Sequence, residues 1–464
     1  MRKISGIIAC FFAFSMLVSC LPTTKQTLLP IAVIESFTIG GFQYEKNDIN
    51  NYGRDTMVIE SGTGSNYHFF IDQKQGLIYN PDSLPFATVV SGLKTSLRAQ
   101  GTVSFENRRQ NSDVYPYINW SADDTIDFTR PVRFRVISPD KSYTRYYTVS
   151  LNVHTQNPDS MQWRTISAPQ LVGVQSIKAV QHGDSLYVLY NRTDDGSNGM
   201  MRIGLDSNCT DLAVNGIPQG KTVRSLVSFH GKLFALSDST LYESQDGADW
   251  SVCNTNITLT RLANVYCRSQ ADTLLWGFTA EGAVCSSNGT DWTHVPEISQ
   301  PFTNSDVSYL SYNLQTNKNL YRCLIAGISP ATGECEIFTR ISNSGRWQKV
   351  MPSPHSELGL PALSGLSVIR YDESLFAFGG SSYDSSVPAY KGFFQSLDNG
   401  ISWLYCDRYC LEYNTWNNFM QLPAGLQQLQ PLGHAVVVDG TDTIWIFPTD
   451  GGVYYKGYIN RLKY

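Results

Sequence analysis

The sequence predicts an all-β protein of two domains, a β-sandwich followed by a six-bladed β-propeller. Three observations predict it. Of the 464 residues 12% are aromatic, only 16% are charged and 36 are glycine, a mixture that suits many short strands joined by tight turns. A pattern running from Ser through Gly to Trp recurs along the second part of the chain, ending at Trp250, Trp292, Trp347 and Trp403. Residues 30–155 alternate polar and apolar in short runs without that repeat.

The N-terminus is set apart from both domains. Arg2 and Lys3 precede an apolar run from Ile4 to Val18, too short and wrongly flanked for a spanning helix, which is the pattern of an export signal. The run ends in Leu17-Val18-Ser19-Cys20, which resembles the lipobox of bacterial lipoproteins. That resemblance implies removal of residues 1–19, lipidation of Cys20 and a polar tether over 20–29. Several acyl chains hold a protein on a membrane where one binds only marginally. The mature chain is therefore expected in the cell envelope, lipid-anchored at the outer membrane. The acidic run that often follows the cysteine of surface-displayed relatives is missing from "CLPTTKQT", which favours the periplasmic face. Losing residues 1–19 removes two basic and no acidic residues, so a net charge of −5 becomes −7. With no basic tract, a nucleic-acid partner is not expected.

Residues 30–155 contain the runs "SFTIGGF", "TMVIES", "YHFFID", "TVSFEN" and "VRFRVIS" and end in "SPDKSYTRYYTVSLNV", a hairpin about Asp140-Lys141. About seven short strands with frequent turns predict an immunoglobulin-like sandwich. Its ending resembles the last hairpin of Ig-like domains near the N-terminus of exported bacterial lipoproteins. "TQNPDS" at 155–160 is the linker. "SADDTIDF" at 121–128 carries three aspartates but neither the spacing nor the glycine of a calcium loop, so it reads as a solvated turn.

The repeat fills 156–464. Each copy has an alternating strand, a Ser, a polar turn with Gly, and a Trp leading a second strand. Asp-Gly and Asn-Gly suit such turns because positive φ is cheap there. Trp-to-Trp intervals of 42, 55 and 56 residues match a propeller blade of four short strands. The copies resemble the Asp-box (BNR) repeat of sialidases and of many non-enzymatic propellers, Ser-x-Asp-x-Gly-x-Thr-Trp. Ser396, Asp398, Gly400 and Trp403 match it best. Ser244, Asp246, Gly247 and Trp250 form a copy one residue shorter, as do the residues around Gly289 and Trp292; the copy with Gly345 and Trp347 lacks the acid. The resemblance implies a structural role, closing the outer hairpin of a blade with the Trp between blades, so Asp246 and Asp398 are not read as catalytic. A further copy occupies 171–215, and a last one stops at Tyr464 without its outer strand. "MQWRTI" around Trp163 has the character of that missing strand, and pairing it there closes the ring and removes open edges. The count is six blades, with seven the alternative. Taken whole, the chain resembles two-domain exported bacterial lipoproteins of unknown function.

Chemistry is sparse. Arg224 and Arg261 hold similar places on presumed innermost strands and together make a candidate anion site, whereas Arg370 is displaced towards the end of its strand. Tyr413, Trp416 and Phe419, evenly spaced in "YCLEYNTWNNFMQ", make either a ligand-contact loop or the packed face of a helical turn. Cys323 and Cys335 flank a turn centred near Ser329, an arrangement that predicts either a disulfide or two small buried residues. No metal-ligand spacing, cofactor motif or Ser-His-Asp set is present. These features predict a non-catalytic, membrane-tethered binding or assembly protein that recognises a glycan, peptide or partner protein through propeller loops. The competing reading is a sialidase-like glycan hydrolase with a degenerate channel site.

Overall fold

In the computed structural model, which describes residues 29–49, 55–107, 116–158, 161–204, 208–269, 272–295, 307–314, 316–329, 332–342, 346–350, 358–380, 393–405, 433–449 and 451–462, the chain divides into two compact units, the first of Met1–Lys46 and Met57–Thr155 and the second of Gln156–Tyr464 with the short segment Asn47–Thr56. Both are built of strands, and among the described residues no helix is long and apolar enough to cross a membrane.

Among the described residues the first unit has eleven strands, more than alternation alone suggests. One sheet joins Val33–Ile39, Leu93–Gln100 and Thr125–Ile126. Another runs Phe70–Asp72, Leu77–Tyr79, Thr144–Ser150, Val132–Ile137, Thr102–Glu106 and Tyr117–Asn119, and Gly41–Ile49 pairs with Asp55–Thr63 as a separate ribbon. The two larger sheets share one core. Phe37 meets Phe69, Phe128 and Phe134 edge-on, with ring centroids 5.2, 6.5 and 5.9 Å apart, an arrangement that matches electron-poor ring edges to electron-rich faces. The buried phenol of Tyr147 is satisfied on both sides: it donates to Gln73 Oε1 (2.6 Å) and accepts from Ile34 N (3.2 Å). Lys141 takes a φ of +62° at the expected hairpin, where the Asp140 carboxylate accepts from both neighbouring serines.

The described residues of the second unit form six four-stranded antiparallel sheets in chain order. Their first strands are Val174–His182, Val223–Phe229, Arg261–Ser269, Val307–Asn313, Ser367–Tyr371 and His434–Val438. The sixth sheet takes its fourth strand from the other end of the unit. Met161–Ser167 lies antiparallel on Val453–Ile459, with Trp163 opposite Gly457. A Cβ on Gly457 would stand 2.3 Å from the indole, so only glycine lets that ring lie flat on the strand.

Six buried clusters join neighbouring sheets. Tyr187 and Leu233 meet between the first and second, Phe234 and Leu275 between the second and third, and Trp276 and Ile325 between the third and fourth. Leu324 and Leu375 meet between the fourth and fifth, Phe378 and Ile446 between the fifth and sixth, and Val188 and Trp445 between the sixth and first. The series closes on itself. Trp250, Trp292, Trp347 and Trp403 each sit in the seam before their own sheet, and Trp163 packs against the seam between the fifth and sixth.

The turn before each Trp explains the repeated residues. Ser244 Oγ donates to Asp246 Oδ1 (3.0 Å) and accepts from Gly247 N (2.9 Å). The same carboxylate oxygen accepts from Ala248 N and Asp249 N, and Trp250 Nε1 donates to Gly247 O (3.0 Å). Asn288 replaces the acid in the next copy and makes the same contacts through its amide oxygen. In the longest copy the extra residue, Asn399, absorbs a second left-handed step (φ +62°) before Gly400 (φ +93°). Gly345 lies outside the described residues. A Cβ on Gly247, Gly289 or Gly400 would come within 2.8 Å of Tyr187, Phe234 or Leu324, each on the second strand of the preceding sheet. The glycine is thus required twice, by its φ and by the neighbouring sheet.

Of the two arrangements open to Cys323 and Cys335, the structure has free cysteines, Cys323 buried and Cys335 partly so, and no disulfide between them. Cys323 stands opposite Arg340, and Cys335 opposite Ile328. The hairpin turns several residues later than a Ser329 centre requires, which separates the two sulfurs by five strand positions, about 17 Å. Both are free thiols, and burial pushes Cys335 up to about 12.

Gly289→Ala should lower stability by about 2 kcal/mol or more, combining a left-handed alanine with a clash against Phe234. Gly183 has a similar positive φ but open space around it, so Gly183→Ala should cost only about 1 kcal/mol. Urea denaturation of both variants reads the difference; equal losses would show that the seam contact contributes nothing.

Candidate functional site

The first strands of the six sheets surround a cavity of about 660 Å³. Neighbouring inner strands are stitched by polar side chains. His182 Nδ1 lies 2.8 Å from Ser228 Oγ, and Leu262 N donates to Ser225 Oγ (2.9 Å). Val368 N donates to Ser308 Oγ (2.8 Å), and His434 Nε2 lies 2.8 Å from Ser367 Oγ. These bonds join neighbouring inner strands and satisfy the hydroxyls and backbone amides that take part in them.

Four cationic side chains line the cavity: Lys178, Arg224, Arg261 and Arg370. No aspartate or glutamate appears among the described lining residues, although the whole chain is acidic at −5. Arg224 and Arg261 therefore share one cavity on adjacent strands, beside the Ser225–Leu262 bond. Arg224 Nε and Ser176 Oγ are buried atoms with no hydrogen-bond partner, and both residues line this space. Arg370 is held differently, its guanidinium carbon 4.9 Å from the centre of the Tyr312 ring. Tyr312 donates to Asn399 Oδ1 (3.1 Å), and burial pushes its phenol up to about 12. Such a site can attract and orient an anion, since cations in a concave wall of low dielectric focus their field.

His434 completes the lining. Its ring stacks on Phe378 at 5.1 Å, and burial, helped by the charge of Lys178, pushes its imidazolium form down to about 3. Sequence reasoning did not single out Lys178 or His434; the signal for Lys178 was a basic residue on an innermost strand, as with Arg224, though further along it.

Other expected sites fall elsewhere. The aspartates of the 246 and 398 turns hold their own backbone and lie outside the cavity lining, their carboxyls kept below the usual range by hydrogen bonds. Asp124 and Asp127 likewise accept from Ser121 N and Thr129 N, and no metal-binding group of three or more ligands occurs among the described residues. Cys20, Tyr413, Trp416 and Phe419 lie outside the described residues.

The neutral, buried His434 makes stability depend on pH. The unfolded chain takes up a proton below about pH 6.5 while the folded chain does not, so stability is full above that pH and falls as pH drops towards 3. Between about pH 6 and about pH 5 the wild type should lose roughly 1 kcal/mol more than His434→Gln, measured by urea midpoints. Equal losses would show that His434 is protonated in the native state.

Residues 157–464 match the model of the DUF6242 beta propeller domain, and residues 37–151 match that of the DUF6242 N-terminal domain. No curated protein matches the chain. Among solved structures, an α-L-arabinanase of Penicillium chrysogenum complexed with arabinobiose is similar over 66% of this chain and 99% of its own, at 12% identity and a TM-score of 0.40. A virginiamycin B lyase of Staphylococcus aureus is similar over 64% and 99%, at 11% and 0.36. A gluconolactonase of Xanthomonas campestris, XC5397, is similar over 65% and 91%, at 9% and 0.40. With matched segments covering both units, the chain belongs to the DUF6242 family, in which a β-propeller domain follows a dedicated N-terminal domain.

Proposed function

We propose that this chain is a non-catalytic binding or assembly protein of the cell envelope, which captures an anionic glycan, peptide or partner group at its propeller channel. The observation that carries the reading is the cavity lining: four cations with no carboxylate among the described residues. Hydrolysis of a glycosidic bond ordinarily needs a carboxyl pair at the scissile bond, one of them a proton donor. The described lining offers neither, which favours capture over turnover. In this reading the ring is a complete six-bladed propeller, its Gly–Trp turns are Asp-boxes, and the N-terminal unit is an immunoglobulin-like spacer. Support comes from the six seams and from the shared two-sheet core. An experimental structure with a seventh sheet would end the blade count.

Lipidation of Cys20 after loss of residues 1–19 would tether the protein, with the periplasmic face of the outer membrane favoured. Intact mass is expected to show a diacylglyceryl cysteine at the mature N-terminus, and Cys20→Ala is expected to be released in soluble form. An unlipidated wild-type protein in the membrane fraction would refute the anchor.

Soluble Cys20→Ala protein, screened against acidic and neutral glycans, is expected to retain acidic ones without cleaving them. Arg224→Ala should weaken that retention about tenfold or more, as loss of a charged hydrogen-bond donor does. Turnover by the parent protein that disappears in Arg224→Ala would overturn the reading in favour of a hydrolase.

A further inference from the structure

The sheet of the first unit that runs from Phe70–Asp72 to Tyr117–Asn119 turns Ile78, Phe105, Phe134 and Val149 into the core. Alternate residues of the same strands point the other way, and that second face carries rings and guanidiniums. Arg135 stands opposite Tyr146, and Arg133 opposite Thr148, which also stands opposite Leu77. The guanidinium carbon of Arg135 lies 4.5 Å from the centre of the Tyr117 ring, and that of Arg133 4.8 Å from the centre of Tyr146. The two rings are 6.3 Å apart, and on the same face Phe70 meets Tyr79 at 5.5 Å. Phe70 is 46% exposed, Tyr146 44% and Leu77 37%. Large apolar groups left open together on one face mark a contact surface.

Charge decides what kind of contact. Among the described residues neither guanidinium is paired with a carboxylate: Arg135 donates to Ser104 Oγ (3.1 Å), and Arg133 rests on its tyrosine. The acids of this face are engaged. Asp72 accepts from Lys74 N and Gln75 N, and Glu106 accepts from the Tyr117 hydroxyl. Two unneutralised cations therefore call for a partner that carries acid groups. A peptide ordinarily adds a strand at a sheet edge or fills a groove. Here both arginines and Tyr146 stand on Val132–Ile137 and Thr144–Ser150, strands already paired on both sides. The C–H faces of sugar rings are apolar and can lie on aromatic faces, and a planar guanidinium matches a planar carboxylate with two parallel hydrogen bonds. We infer that this face binds an acidic polysaccharide, a chain of carboxylate-bearing sugar rings. The sugar rings would lie on Tyr146, Leu77 and Phe70, and the carboxylates on Arg133 and Arg135, about 7 Å apart along one strand. The first unit would then be a holding point in its own right, whether or not the channel binds.

Titration calorimetry of the full soluble Cys20→Ala chain, with Arg224→Ala added to weaken the channel, tests this with four probes: polygalacturonate, galacturonate, dextran and poly-L-glutamate. Polygalacturonate is expected to bind about tenfold or more above galacturonate, because a polymer holds several contacts at once. It should exceed dextran, which lacks the charge, and poly-L-glutamate, which lacks the rings, by about tenfold as well. Arg133→Gln and Tyr146→Ala should each weaken polygalacturonate about fivefold or more, and Arg133→Lys less than Arg133→Gln. Arg98→Gln, on the other sheet of the unit and paired with Glu35, should change it by no more than about twofold. Urea midpoints of the variants separate misfolding from lost contacts. Poly-L-glutamate binding as tightly as polygalacturonate would overturn the inference in favour of a protein partner. Dextran binding as tightly would overturn it too, as would an Arg98→Gln loss equal to that of Arg133→Gln. Polygalacturonate binding that disappears with Arg224→Ala alone would overturn it while leaving the channel as the anion site. Equal binding before and after Arg224→Ala, with loss in Arg133→Gln, would refute the channel as the glycan site while this face stood.

Discussion

Ring closure is the constraint on which the second unit depends. Each sheet buries one face against the sheet before it and the other against the sheet after it, so no sheet has a complete core alone. The antiparallel pairing of Met161–Ser167 with Val453–Ile459 gives the sixth sheet its fourth strand. Without it, Tyr454 and Tyr455 would lie on an open edge, and the seams on both sides of the sixth sheet would lose their outer wall. The channel inherits its geometry from this closure, because its walls are the inner strands that the seams hold at fixed spacing.

The Gly–Trp turns stabilise those seams by joining local and long-range demands in one residue set. Serine and Asp or Asn satisfy the turn's backbone, glycine admits both the positive φ and the neighbouring sheet, and tryptophan fills the seam. Polar side chains in these turns are fully occupied with structure. The inner strands instead bring serines, His434 and four cations to the cavity.

Much of the second unit was legible because its repeat is written in residues that have few alternatives: a glycine at positive φ and a large indole beside it. The closing strand was legible for the same reason, since Trp163 had no hairpin of its own. Legibility failed where position depends on exact turn placement or on distant pairing. The Cys323–Cys335 hairpin turns later than composition suggests, so the expected facing pair was wrong. In the first unit Leu77–Tyr79 pairs in parallel with Thr144–Ser150, a long-range contact that leaves no mark in local alternation. Arg224 and Arg261 are legible as arginines near the start of two inner strands, whereas Lys178 stands further along its strand and has no such counterpart, and the burial that neutralises His434 cannot be read from its neighbours in sequence.

The closing strand also sets an order of events for the emerging chain. Within the second unit Met161–Ser167 is made before the six first strands and its partner Val453–Ile459 after them, so the ring has to wait for nearly the whole unit before it can shut. Contacts between such distant segments form late and slowly compared with hairpins. Five sheets can form their own strands as they appear, yet each exposes a seam face until its neighbour arrives. Holding the closing strand clear of other edges until the sixth sheet arrives is the hazard this topology imposes on its own biogenesis.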